Sequence, residues 1–176
     1  WTCLEPDKKL LDILQSDSQI NQEKMRINFV NGTLSTLEER FDTILYIDVL
    51  EHIEDHKSEM KLAWERLNKG GRIIVLSPAF QFLYSPFDEK IGHFRRYTKK
   101  SLRDTAPDLK DRLVKLKYLD SVGLLASLVN SLFMKISDPT LEQIKIWDTF
   151  MVPVSNKIDF LFSAFVGKQV MGVWEK

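Results

Sequence analysis

Apolar positions in the first half of the chain fall into short blocks separated by turn residues. Residues 1–4 form a short apolar run that stops at Glu5-Pro6-Asp7, and Leu10, Leu11 and Leu14 follow at helical spacing. Residues 26–30 alternate and stop at Asn31-Gly32, which predicts a strand and a turn. Residues 41–47 form a second apolar run, stopped by Asp48. Asp55 suits the cap of a helix over 56–68, with Met60, Ala63, Trp64 and Leu67 on one face and Lys69-Gly70-Gly71 closing it. Residues 73–76 then predict a strand that ends at Ser77-Pro78. The runs at 44–47 and 73–76 are continuously apolar, as strands covered on both faces are. Strands alternating with helices across short connections predict an α/β architecture with a mainly parallel sheet.

The second half is patterned differently. Residues 80–97 mix aromatics, prolines and charges with no clear period, and so long an irregular stretch in a compact domain is more often functional than idle. Thr98 suits the cap of a short helix stopping at Pro107, and residues 113–119 alternate as a strand. Leu124, Leu125, Leu128, Val129, Leu132, Phe133 and Ile136 predict a long helix with a broad apolar face. Asp138-Pro139 opens another helix, and residues 169–174 read as the last strand. No internal repeat or low-complexity linker divides the chain. The expectation is a single domain over residues 1–176, with 80–112 as its active-site or substrate segment.

Composition narrows the classes. The 176 residues carry 25 basic and 25 acidic side chains, so the net charge is zero and no nucleic-acid partner held by bulk electrostatics is expected. Cys3 is the single cysteine, which excludes an internal disulfide and a thiol-rich metal cluster. Residues 5–9 are polar where a secretory signal would need an apolar core. Asp120, Asn130 and Lys135 interrupt the longest apolar stretch, which therefore falls short of a membrane span. A cytoplasmic location is expected.

Three groups of residues carry candidate chemistry. Glu5 ends the first apolar run, where an acid either hydrogen-bonds the ribose of a nucleotide cofactor or starts a helix. Asp48, Glu51 and His52 lie at i, i+3 and i+4 beyond a buried strand, on the edge where α/β sheets bind ligands. Two carboxylates and an imidazole suit a hard cation or a base with its orienting partner; capping and backbone bonding is the alternative use. The run from Asp88 to Thr98 holds His93, placed to join His52, and Arg95 and Arg96, suited to a carboxylate or phosphate. His56 reads as a surface residue. The stripe from Leu124 to Ile136 is most simply core; with Phe160, Phe162 and Phe165 it also suits a greasy substrate wall or a homodimer face.

Taken together, these residues resemble class I S-adenosylmethionine-dependent methyltransferases. The resemblance rests on Leu4-Glu5-Pro6-Asp7, on the run from Phe41 through Asp48 and Glu51-His52 to Ile53, and on the run from Leu67 through Gly70-Gly71 to Val75. The stretches from His93 to Thr98 and from Tyr118 to Leu125 resemble bacterial members of the group. The family implies a Rossmann-like, doubly wound, mostly parallel sheet with an antiparallel last strand, here residues 113–119 and 169–174 as the final two. It implies that Glu5 holds the cofactor ribose, Pro6 lies against the adenine, Gly32, Thr33 and Leu34 flank the adenine edge, and Ile47, Asp48 and Val49 line the methionine side. The family's first strand and glycine-rich loop would precede residue 1, so the expectation is an N-terminally truncated domain.

A narrower resemblance, to ubiquinone-pathway O-methyltransferases and small-RNA terminal 2′-O-methyltransferases, implies a divalent metal such as Mg on Asp48, Glu51, His52 and His93. The implied function is methyl transfer from S-adenosylmethionine to a small-molecule or lipid-like acceptor at oxygen. His52, His93 and Glu51 would do the acid–base work, and Arg95, Arg96 and Tyr97 would bind the acceptor. A catalytically inactive binding module of the same fold and an NAD-dependent oxidoreductase are the rival readings.

Overall fold

A computed structural model of the chain describes residues 1–17, 26–129, 140–163 and 165–176. Contacts within it gather into two compact units, Trp1–Arg40 and Phe41–Lys176.

In the first unit, strand β1 (Thr2–Glu5) pairs in parallel with β2 (Asn28–Asn31), and helix α1 (Lys8–Ser16) lies between them in sequence. Asp7 caps α1 by accepting from the Lys9 amide at 2.8 Å. Asn31 ties the end of β2 to the exit of β1, donating through Nδ2 to the carbonyls of Glu5 and Pro6 at 2.9 and 3.0 Å.

The second unit is built on four strands in the order β3-β4-β6-β5: β3 (Phe41–Ile47), β4 (Leu67–Pro78), β5 (Leu113–Leu119) and β6 (Gln169–Glu175). β3 and β4 are parallel, joined through helix α2 (His56–Glu65), while β6 runs antiparallel between β4 and β5. The antiparallel insertion of the last strand is the arrangement the resemblance implies. Between β4 and β5 come the short helices α3 (Pro86–Lys90) and α4 (Lys99–Arg103). After β5 come α5 (Ser121–Val129), α6 (Leu141–Ile146) and α7 (Val152–Phe162). The core gathers Met60 and Ala63 of α2, Ile73 and Val75 of β4, Leu102 of α4, and Val170 and Trp174 of β6, all fully buried.

The structure corrects three local expectations. α2 stops at Glu65, and Leu67 to Gly71 open β4, because Lys176 at the end of β6 exchanges backbone hydrogen bonds with Gly70 and Gly71. That long-range pairing overrides the helix-stop signal. β3 is covered on one face only: Tyr46 is buried and donates to Glu59 of α2, whereas Leu45 and Ile47 on the opposite face are 42% and 46% exposed. The irregular 80–97 stretch contains α3, opened by Pro86 behind a Ser85–Asp88 capping box. The predicted long helix is described as far as Val129, and Leu132, Phe133, Ile136 and the Asp138-Pro139 start lie outside the described residues.

Candidate functional site

β3 and β4 are parallel, so their carboxyl ends meet on one edge, and three chain segments converge there. The first leaves β3 through Asp48. Its φ of +50° is a conformation non-glycine residues rarely adopt, and it turns the chain off the sheet. A 3-10 turn over Leu50–His52 follows. Leu50 packs fully buried, which draws the adjacent Glu51 carboxylate inside as well.

Glu51 is wholly inaccessible to solvent. Ser77 at the end of β4 donates to its Oε2 at 2.9 Å, and Oε1 has no hydrogen-bond partner among the described residues. Burial pushes the Glu51 carboxyl up to about 7 against the opposing bonds from its own backbone and Ser77, and the Asp48 and Asp88 carboxylates add to the rise.

The third segment, residues 85–98, supplies His93. Gly92 takes φ +82°, the left-handed backbone that turns the chain after α3. His93 is then held at several points: its amide donates to the Asp88 carbonyl at 2.8 Å, its carbonyl accepts from the Tyr84 hydroxyl, and the Phe94 amide donates to the Glu51 carbonyl at 2.9 Å. A backbone bridge between Ala79 and Tyr97 anchors the far end of the segment beside β4.

The His93 ring lies between two carboxylates. Its Nδ1 is 2.8 Å from Asp88 Oδ1, and its Nε2 is 3.8 Å from Glu51 Oε1. The His52 ring meets it edge-on, with centroids 4.5 Å apart. Asp88 is 1% exposed and accepts four hydrogen bonds, from the Ser85 amide and hydroxyl and from Arg96 Nε and a terminal nitrogen, with His93 Nδ1 as a fifth contact. Burial alone would raise the Asp88 carboxyl, but the bonds from Arg96, His93 and Ser85 outweigh it and hold it down at about 2. These groups line a cavity of about 340 Å³ that also takes in Asp48, Pro78, Phe87, Ile91, Lys168 and Gln169.

The structure thus brings Asp48, Glu51, His52 and His93 together on one cavity. The expected acceptor-binding residues have hydrogen-bond partners within the protein. Arg95 donates to the carbonyls of Ile53 and Glu54 and to His56 Nδ1, at 2.7, 3.0 and 2.9 Å. Tyr97 is 1% exposed, and its hydroxyl bonds the Leu50 carbonyl and meets His56 Nδ1. These two residues brace the turn after β3. His56 is accordingly half-buried in a polar network and is not a free surface residue. Arg96 lines the cavity, yet its guanidinium is bidentate to Asp88. Asp48 accepts from Gln169 Nε2 at 3.2 and 3.4 Å.

The residue that sequence reasoning missed is Asp88. Its spacing to His93 and Arg96 is in the sequence, but the fold-back that aims both at one carboxylate depends on the turns at Ser85 and Gly92.

Of the expected cofactor residues, Ile47 and Val49 are apolar yet 46% and 41% exposed, next to Asp48. Glu5, Pro6, Gly32, Thr33 and Leu34 belong to the first unit. There Glu5 Oε1 accepts from the Asp7 amide at 2.8 Å, Thr33 shares a hydrogen bond with Ser35, and Leu34 is buried.

Among known proteins, residues 1–75 match the methyltransferase domain family. No curated protein sequence matches the chain. Solved structures share its fold, among them the following three. Coclaurine N-methyltransferase, bound to N-methylheliamine and S-adenosylhomocysteine, superposes with a TM-score of 0.58 at 12% identity, over 99% of this chain and 60% of its own. A SAM-dependent methyltransferase from Archaeoglobus fulgidus does so with a TM-score of 0.59 at 14% identity, over 99% of this chain and 75% of its own. The cyclase SpnF reaches a TM-score of 0.58 at 12% identity, over 99% of this chain and 66% of its own. The chain spans 60% of the first of these proteins, and its fold is the Rossmann-like fold of class I methyltransferases.

Proposed function

We propose that this chain, whose residues 1–75 match the methyltransferase domain family and whose fold is shared with SAM-dependent methyltransferases, transfers a methyl group from S-adenosylmethionine to a hydroxyl of a small-molecule or lipid-like acceptor. Because a cyclase shares the fold, the chemistry of the cavity has to choose the reaction. The observation that carries the reading is the buried, unpartnered Glu51 Oε1 facing His93 Nε2 across 3.8 Å. That gap is too long for a direct hydrogen bond and wide enough for one hydroxyl oxygen to bond both.

Bound S-adenosylmethionine supplies a methyl group on a positively charged sulfur, ready for in-line displacement. The chain's own residues position the acceptor and remove its proton. Glu51, protonated at Oε1, donates to the acceptor oxygen while the hydroxyl donates to His93 Nε2, and as that oxygen bonds the methyl carbon and the carbon–sulfur bond breaks, the hydroxyl proton passes to His93 Nε2. Pro78, Phe87 and Ile91 give the cavity apolar walls suited to the acceptor's skeleton. The uncovered apolar surface of Ile47 and Val49 suits the cofactor's methionine arm, and the cofactor assignments of Glu5, Pro6, Gly32, Thr33, Leu34 and Asp48 are part of the same proposal.

A second reading places a divalent cation on Glu51, His52 and His93, which can each offer a donor atom within 4.8 Å of the others. A cation there would lower the pKa of the acceptor hydroxyl. Asp48, expected as a fourth ligand, is outside that group.

Calorimetric titration with S-adenosylhomocysteine, with NAD in parallel, tests the cofactor. Saturable binding of the former alone is expected, and binding of NAD alone overturns the reading. Transfer of labelled methyl to a phenol and to an amine of matched skeleton tests the acceptor atom, with the phenol preferred. If chelation abolishes that transfer, the cation reading replaces the metal-free one.

A further inference from the structure

Asp88 is the most heavily bonded side chain at the cavity, and the hydroxyl reading above leaves its purpose open. An ionised carboxylate has lone pairs and no proton to give. All its partners in this structure are donors: Ser85 through its amide and hydroxyl, and Arg96 through two guanidinium nitrogens, each at 2.8 Å. Arg96 keeps Asp88 ionised, and the bidentate geometry fixes the plane of the carboxylate. The remaining contact, at 2.8 Å from Oδ1, is His93 Nδ1. Only a protonated Nδ1 can complete such a set, since a bare Nδ1 would set two lone pairs against each other.

We infer that Asp88, clamped by Arg96, is a positioning residue that fixes neutral His93 as the Nδ1–H tautomer and so leaves Nε2 bare toward Glu51 and the cavity. The inference rests on the hydroxyl-transfer reading for its purpose: a bare Nε2 is what accepts the proton. The tautomer itself is a property of the free protein. Two further contacts hold the His93 backbone, the Asp88 carbonyl on its amide and the Tyr84 hydroxyl on its carbonyl. Arg96 reaches His93 through Asp88.

Nitrogen NMR of the full chain with ring-labelled histidine tests this directly. The sequence has three histidines, so the His93→Gln variant assigns the His93 signals by subtraction. The expected result at mildly alkaline pH is a protonated-type Nδ1 and a bare-type Nε2 resonance. Finding Nε2 protonated, alone or together with Nδ1, overturns the inference, and this needs no variant to fold. In Asp88→Ala, provided circular dichroism shows native content, the His93 Nε2 signal shifts toward the protonated type, as free imidazole prefers. An unshifted signal in that folded variant overturns the role of Asp88. Neither readout depends on methyl transfer, so binding of S-adenosylhomocysteine succeeds or fails independently of it.

Discussion

Asp88 and Glu51 flank His93 and respond to pH in opposite directions, because one is saturated with donors and the other is buried with an oxygen left bare. The Asp88 carboxyl is held down at about 2, so the native state binds fewer protons there than the unfolded chain does. Its contribution, roughly 2 kcal/mol, is complete above the ordinary carboxylate range and disappears as pH falls toward 2. Denaturant titrations should show a stability deficit in Asp88→Ala that is largest near neutrality and shrinks on acidification. For Glu51, raised to about 7, the native state binds more protons than the unfolded chain between the ordinary carboxylate value and neutrality. Stability therefore falls as pH rises through that window, by an amount on the order of 3 kcal/mol. Glu51→Gln, measured with chelator present, should be more stable than the parent above neutrality and close to it in mild acid. An equal effect at both pH values would mean that Glu51 is not the group being protonated. The Asp48, Glu51, His52 and His93 set was legible because residue type and the strand-end position suffice to nominate it. The hydrogen-bond partners of Arg95, Arg96 and Tyr97 were not, because an arginine that grips a carboxylate from the solvent and one that grips its own loop have the same sequence.

Elements were legible where the apolar pattern is local and dense. β3, β5 and β6 appear within a residue of their expected ends, since a half-buried or buried strand writes its period directly into the chain. The end of α2 was not, because Gly70-Gly71 reads as a helix stop until Lys176 is known to bond there. α3 is five residues long, too short to show a helical period. The approach of β6 to β5 depends on a similar non-local fit. Gly167, buried just before β6, leaves no room for a methyl group, and an added Cβ would sit 2.3 Å from the Leu119 carbonyl oxygen. Backbone cannot yield as a flexible side chain can, so Gly167→Ala should cost about 1–3 kcal/mol and lower the thermal midpoint. A variant as stable as the parent would show that β5 and β6 can shift apart freely.

At the scale of the whole molecule, balanced charge meets exposed apolar surface. The net charge is zero with a sequence pI near 7.0, while Leu125, Phe150 and Phe165 are 64%, 70% and 75% exposed. Little long-range repulsion opposes association under those conditions. Light scattering of the 176-residue chain should therefore show most self-association near pH 7 and less on either side. Association that persists unchanged away from neutrality would point to a specific apolar contact.

The central place of β6 also has a consequence for the order of events on the ribosome. Among the described residues β5 has no sheet partner except β6, and β6 is encoded at residues 169–175. Translation delivers β5 some fifty residues before the strand that receives it, whereas β3 and β4 can pair as soon as both have emerged. During that interval the nascent chain carries a waiting strand with an open edge, and the closing step comes only when residues 169–175 thread between two strands already made. A stall or cleavage shortly before residue 169 would release a chain with most of its helices in place and β5 still unpaired, a species suited to capture by chaperones or to cross-pairing with its siblings.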